Sequence, residues 1–225
     1  MPGHVGIAAC SAPGAALCYR LISTGHGPTP EISVNAQPFA DYMRHIGAAN
    51  WQGVAELMLA SARKLAVAGA DFLIAPCNTI YQAMEYVIPR SPLPWLHIAA
   101  AVVAEAKRLG YRRVGLLGTS LTMESPLYPS QFDAAGIGYC VPEPQVRAEI
   151  NRFIFDEMVG GAFTPEARLY FTDVIRQLQE CGCDSAGLCC TELPVLLEGL
   201  PAALPTLDST RILAQAALER SVMSR

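Results

Sequence analysis

The chain has 225 residues, 52% apolar and only 16% charged, with a formal net charge of −4. That is enough length for one large or two small domains with a real core, and a charge fraction well under the usual ~25% excludes a disordered, solvated architecture. Sixteen scattered Lys and Arg against twenty Asp and Glu are a poor match for nucleic acid or an anionic membrane surface.

In chain order, short β-rich runs alternate with amphipathic helical stretches. Strands are expected at His4–Ala9, Glu31–Asn35, Phe72–Ala75, Arg113–Leu117 and Ser185–Cys189. Helices are expected at Trp51–Ala68, Ala99–Leu109, Gln145–Met158 and Pro165–Cys181, with apolar residues near 3.6 spacing. Gly69, Gly110 and Gly182 each follow a helical pattern and precede a strand, the stop signal of an α/β unit. Such alternation implies a mainly parallel sheet with helices on both faces. No apolar run reaches the ~18 residues of a spanning helix, and MPGHVGIAAC carries no basic segment of an export signal.

Eight cysteines in a chain read as cytoplasmic are expected to be reduced. Cys181-Gly182-Cys183 and Cys189-Cys190 are too close for ordinary internal bridges, and no C-x₂-C or downstream H-x₃₋₅-H pair suggests zinc. Most of them are expected to be small buried hydrophobes.

The chain also repeats itself. Val5-Gly6-Ile7-Ala8-Ala9-Cys10-Ser11 resembles Val114-Gly115-Leu116-Leu117-Gly118-Thr119-Ser120. Gly69-Ala70-Asp71 followed by Cys77-Asn78-Thr79 resembles Gly182-Cys183-Asp184 followed by Cys190-Thr191-Glu192, and Pro94-Trp95-Leu96-His97 resembles Pro205-Thr206-Leu207-Asp208. Three ordered segments agree on a shift of about half the chain, which reads as two related α/β halves. In open parallel sheets function gathers at the carboxyl ends of the strands. Each matched strand there runs into a polar turn, and facing halves would put these turns across one shared cleft. Cys77 and Cys190 then become equivalent thiols on opposite walls. A thiol ionises near pH 8.5, so one thiolate and one thiol near neutrality can serve as base and acid on the two faces of a carbon. His97 reads as a buried structural histidine or a group supporting the site. Glu192 reads as a thiol-orienting group or a helix-start carboxylate.

Cofactors are expected to be absent. A pyridoxal phosphate enzyme needs a Schiff-base lysine, and Lys64 and Lys107 both sit in expected surface helices. The loop Ala8-Ala9-Cys10-Ser11-Ala12-Pro13-Gly14 lacks the G-x-G-x-x-G pattern of a dinucleotide site, and no P-loop occurs.

Ala75-Pro76-Cys77-Asn78-Thr79, Val114-Gly115-Leu116-Leu117-Gly118-Thr119 and Cys190-Thr191-Glu192-Leu193-Pro194 together resemble the aspartate/glutamate racemase superfamily, and the resemblance runs on to Leu207-Asp208-Ser209-Thr210. It implies two pseudo-symmetric Rossmann-like α/β domains with parallel sheets and an active-site cleft between them. The first domain would be residues 1–97 plus 206–225, taking back the final strand and helix, and the second residues 98–205. The resemblance further implies cofactor-independent racemisation or epimerisation of an amino acid, aspartate or glutamate among them, with Cys77 and Cys190 as the acid/base pair, in a homodimer. By position, Asn78, Thr79, Thr119 and Thr191 would bind the substrate's carboxylate and ammonium, joined by Ser11 and its equivalent Ser120. The first loop departs from the superfamily's G-G pair, which makes Cys10 a third thiol near the site, and the usual Gly before C-T-E is Cys189, read as packing. The regions Gln37–Ala40 and Val159–Ala162 lack the cations that acidic substrates call for, leaving Arg44 as the nearest candidate. The alternatives on the same scaffold are a decarboxylase or cis–trans isomerase of a small dicarboxylate, or a non-catalytic small-molecule binding protein. Decarboxylases of this kind keep only the second cysteine, so Cys77 argues against the first.

Overall fold

The computed structural model describes residues 2–25 and 28–223. They form two compact units, the described residues of Met1–Ala101 with Thr210–Arg225, and Val102–Ser209. No helix among the described residues is long and apolar enough to cross a membrane.

In the first unit, β1 (Val5–Ala9) lies between β2 (Ile32–Ala36) and β3 (Phe72–Ile74), all parallel. β1 and β3 are buried along their whole length, as parallel strands covered on both faces must be. The helices α1 (Ala12–Ser23), α2 (Phe39–Gly47) and α3 (Trp51–Val67) follow the first two strands. The carboxamide of Asn50 accepts the Gly53 N–H at 2.9 Å and starts α3; Gly69, at φ +92°, ends the connection to β3 in a conformation that L residues avoid. After β3 come a 3₁₀ turn (Thr79–Ala83) and the short α4 (Met84–Val87), then a single parallel bridge from Trp95 to Leu73, and α5 (Ile98–Leu109) begins directly after His97.

The second unit repeats the plan. Its sheet has the order β5 (Gly138–Cys140), β4 (Arg113–Leu117), β6 (Ser185–Leu188), β7 (Thr206–Asp208), again all parallel. Around it lie α6 (Ser120–Met123), α7 (Pro129–Ala135), α8 (Pro144–Arg152), α9 (Pro165–Glu180) and α10 (Glu192–Leu196). Thr164 caps α9 by accepting the Ala167 N–H at 3.2 Å, with Pro165 at its first position. Phe153, Ile154, Phe171, Ile175 and Leu178 pack with Leu117 and Leu188 as the core of this unit.

The repeat seen in the sequence is a repeat of physical devices. Gly6 and Gly115 stand mid-strand where a side chain would strike Leu73 and Leu178 respectively, each at 2.6 Å. Asp71 Oδ2 accepts the His4 N–H at 2.6 Å; Asp184 accepts the Arg112 and Arg113 N–H groups at 2.7 and 3.2 Å. In return the Asp71 N–H donates to His4 O and the Asp184 N–H to Arg113 O. Each aspartate thus clamps the start of the cysteine-bearing strand to the start of the central strand.

Two expectations need correction. The strand Thr206–Asp208 does not return to the first half: it pairs with β6 over Ala186↔Thr206, Gly187↔Leu207 and Leu188↔Asp208. Only the helix after it, α11 (Ser209–Met223), belongs for most of its length with the first unit, where Ser221 O accepts the Gly3 N–H and Arg220 lies over Phe72. The physical reason is the repeat itself, since Thr206–Asp208 is the counterpart of the Trp95 bridge beside β3. The helix expected over Gln145–Met158 is also broken: α8 ends at Arg152, a wide π turn spans Phe153–Glu157 and a 3₁₀ turn Met158–Gly160.

Gly118 follows β4, where a Cβ would lie 2.9 Å from the Cys189 carbonyl oxygen. Backbone cannot yield as a flexible side chain does, so Gly118→Ala is expected to cost about 1–3 kcal/mol by overpacking. Chemical denaturation measures it, and an unchanged midpoint would show that the two turns are not in close contact.

Candidate active site

In the first unit, parallel β1 and β3 deliver their carboxyl ends to the same edge of the sheet. Cys10 follows β1 and is 4% exposed; Ser11 stands at the start of α1, half-buried, and its hydroxyl makes no bond to the helix amides. Beyond β3 the chain turns sharply, the Cys77 N–H donating to Ala75 O at 2.8 Å. Cys77 is half-buried, Asn78 almost wholly buried and Thr79 half-buried. The helix expected from Ile80 is instead the 3₁₀ turn, in which the Tyr81 N–H donates to Asn78 O at 3.1 Å. Tyr81 pins this turn: its hydroxyl accepts the Ala75 N–H at 3.3 Å and donates to Leu96 O at 2.9 Å. Cys10, Ser11, Cys77, Asn78 and Thr79 therefore gather at one edge.

His97 caps the start of α5. Its Nδ1 accepts the Ala100 N–H at 3.3 Å at the start of α5, and its ring meets Tyr81 edge-on with centroids 4.9 Å apart. Burial holds its basicity below the ordinary histidine value, so the imidazole is the neutral form that a capping acceptor requires. Arg44, on α2, has its side chain 66% exposed and paired with Asp41 at 2.9 Å.

In the second unit, Thr119 follows Gly118 and is nearly buried. Its Oγ1 accepts the Thr122 N–H at 3.2 Å and lies 3.0 Å from the Thr122 hydroxyl. The Ser120 N–H donates to Asn151 Oδ1 on α8 at 3.0 Å, and its hydroxyl to Arg147 O at 3.5 Å. Beside this turn, the Cys189 N–H donates to Leu117 O at 2.7 Å and sets the chain for Cys190. The half-buried Cys190 thiol donates to Glu192 Oε2 at 2.9 Å, and the Thr191 hydroxyl donates to the same oxygen at 2.8 Å. Glu192 stands in the first turn of α10, its Oε2 shared by these two donors. Cys189 is packing: burial pushes its thiol up to about 12, against the opposing effect of a hydrogen bond to Tyr128.

Sequence reasoning missed Thr122 and Asn151, which hold the Thr119-Ser120 turn. Thr122 carried a signal, lying three residues after Thr119 as a capped turn demands. Asn151 carried none, because its partner is 31 residues away. The segment after α8 also packs against α10, so one stretch supports both polar turns of this unit.

Two parallel α/β units, each with a cysteine in a polar turn at the carboxyl edge of its sheet, define a duplicated α/β protein built around thiol-bearing turns. Residues 19–217 match the model of the Asp/Glu/Hydantoin racemase family, and the chain belongs to that family. It is 28% identical to a glutamate racemase of Pseudomonas aeruginosa over 70% of this chain and 60% of that protein. It is 23% identical to a broad specificity amino-acid racemase of Bacillus subtilis over 68% of this chain and 65% of that protein. The match thus spans less than two thirds of the length of either relative. Among solved structures, an aspartate racemase homologue from Pyrococcus horikoshii superposes with a TM-score of 0.82 at 25% identity, over 99% of this chain and 100% of that one.

Two outcomes follow from these contacts. Charging His97 costs the folded state more than the unfolded one, so stability is present above pH ~6.5 and is lost as pH falls through and below that value. His97→Asn keeps a capping acceptor without the titration, and its melting temperature should fall less between pH 7.5 and 5.5 than the parent's. An equal fall would remove His97 as the source. A carboxylate 2.9 Å from Cys190 also opposes a second negative charge on the sulfur. Glu192→Gln should therefore raise the rate at which iodoacetamide alkylates Cys190 at pH 7; a slower rate would mean that Glu192 instead draws the proton away.

Proposed function

We propose that the protein racemises or epimerises an amino acid without a cofactor, Cys77 and Cys190 acting as the acid/base pair on one Cα. The observation that carries this reading is the equivalence of the two cysteine turns. Each follows a buried parallel strand, begins six residues after a clamping aspartate, and leaves its thiol half-buried rather than sealed in the core. Family membership and the racemase relatives support the reaction class.

In this reading one sulfur, as thiolate, takes the Cα proton, and the other, as thiol, delivers a proton to the opposite face. The atoms balance: the C–H bond broken on one face is replaced by a C–H bond on the other, and the two sulfurs exchange protonation states. The carbanion between the two steps is planar, its charge spread into the carboxylate, so donors fixed beforehand around that carboxylate contribute most to the rate. The hydroxyls of Ser11, Thr79 and Ser120, the Asn78 carboxamide and amide N–H groups of the turns are the proposed donors. Thr119 and Thr191 contribute with oxygens already held in place by Thr122 and Glu192, able to accept from the ammonium. Glu192 keeps Cys190 oriented while it is the thiol.

The test is exchange of Cα protons in D₂O, run across the full set of amino acids with acidic ones included, alongside loss of optical rotation. The native chain should exchange and racemise the same substrate. Cys77→Ser and Cys190→Ser should each lower racemisation by about 10²–10⁴-fold, the usual worth of a positioned acid or base. Full racemisation by either variant would sink the two-thiol mechanism.

A further inference from the structure

At the amino ends of β1 and β2, the first unit brings together a serine, a histidine and a glutamate. The Ser33 hydroxyl oxygen and His4 Nε2 lie 3.0 Å apart. The other ring nitrogen of His4, Nδ1, lies 4.0 Å from Glu31 Oε2. Cys10 and Cys77 belong to the opposite, carboxyl ends of the strands. The five residues of β1 separate the two edges, about 16 Å at ~3.3 Å per residue.

Strand register sets the group up. His4 and Gly6 alternate to the same face of β1, and Gly6 is level with Ser33 on β2. Imidazole and hydroxyl therefore rise from one face of the sheet. Asp71 holds the His4 backbone at both its N–H and its carbonyl, so the ring stands on a fixed base. The second unit repeats the clamp but carries Arg113, Gly138 and Cys140 at the places equivalent to His4, Glu31 and Ser33. The fold itself thus does not require these three side chains. His4 is shielded at 7% exposure, while Ser33 is half-buried and within reach of solvent.

The backbone adds a donor. Glu31 O accepts the Val5 N–H at 2.9 Å, so residues 31, 33 and 35 turn their backbone polar groups to β1. Ile32 and Val34 turn theirs to the outer side of β2, where no strand pairs among the described residues. The N–H of Val34, directly after Ser33, thus faces the side open to an incoming carbonyl.

We propose that Ser33, His4 and Glu31 form a second, hydrolytic site for neutral activated esters. It does not rest on the racemase reading. His4 Nε2 takes the hydroxyl proton as Ser33 Oγ bonds to the ester carbonyl carbon, and the carbonyl electron pair moves onto its oxygen, where the Val34 N–H donates. The pair returns, the ester C–O bond breaks, and the proton on Nε2 leaves with the alcohol. Water repeats the sequence on the acyl-serine, so ester and water become acid and alcohol. Glu31 answers the charge that the imidazole gains and repels anionic esters. One backbone donor stabilises the oxyanion modestly, which is why the leaving group must be a good one.

Two probes test this on the full chain: p-nitrophenyl acetate, and a fluorophosphonate that phosphonylates activated serine hydroxyls. Peptide mass spectrometry should find the phosphonyl group on Ser33 of the folded chain and not of the chain unfolded in urea. Ser33→Ala should lower p-nitrophenyl acetate hydrolysis about 10²-fold, the usual worth of a nucleophile served by a positioned base; hydrolysis by thiols is the part that remains. Glu31→Gln, at a side chain 76% exposed, should lower hydrolysis about two- to fivefold, the worth of an exposed charge pair. Its melting temperature should hold, a combination that a merely structural serine–histidine contact does not produce. A folded chain unlabelled at Ser33 overturns the proposal, as does labelling that is equal after unfolding. Parent-rate hydrolysis by Ser33→Ala overturns it too, and an unchanged rate in Glu31→Gln overturns the part given to the glutamate. Should Ser33→Ala not fold, the position of the label on the native chain decides alone.

Discussion

The structure depends on a pair of aspartate clamps. In a parallel sheet, a slip of one residue turns every side chain to the opposite face, so the register must be fixed somewhere. Here it is fixed at the start of the strands: Asp71 to the His4 amide, and Asp184 to the amides of Arg112 and Arg113. The same register then runs the length of each strand pair, Val5↔Phe72 in one unit and Val114↔Ser185 in the other. Counting six residues on from each clamp brings the chain just past the paired strand, to Cys77 in the turn after β3 and Cys190 in the turn after β6. The spacing between aspartate and cysteine is thus a ruler, and it explains why one interval recurs in both halves. A residue inserted after the strand, between Ile74 and Cys77 or between Leu188 and Cys190, would leave the strand register in place and move the thiol along its turn.

That ruler is also why so much could be read from the amino acids alone. Five of the seven strands among the described residues, the glycine stops and the cysteine turns depend on neighbours in sequence and left a local trace, whereas the three-residue β5 left none. What stayed hidden depends on distant partners. Asn151 holds Ser120 from a helix 31 residues away, and nothing near Asn151 announces it. The turn after Cys77 tightens into a 3₁₀ form around Tyr81, whose hydroxyl ties Ala75 to Leu96 across the unit. Thr206–Asp208 was legible as a strand, while its place beside β6 was a matter of which edge offered hydrogen bonds. His97 shows the opposite case. Its place before α5 was visible in the sequence, and the Nδ1 contact to Ala100 turns an ambiguous histidine into a cap.

Duplication gives two related turns, and proton transfer between two faces asks for two sulfurs in different states. A perfectly symmetric pair could share a single charge, but it would favour neither sulfur as the seat of that charge. Among the differences between the two cysteine turns, one stands beside the sulfur: where the first half has Thr79, the second has Glu192, and this carboxylate accepts the Cys190 S–H hydrogen bond at 2.9 Å. A carboxylate so close opposes charge on that sulfur. Under the proposed chemistry this favours the enantiomer whose Cα hydrogen faces Cys77 in the first encounter, and each turnover of the other enantiomer must begin by exchanging the two protonation states. The equilibrium constant between enantiomers is fixed by the substrate, so this asymmetry can appear only in rates: a higher kcat in one direction must be matched by a proportionate difference in KM.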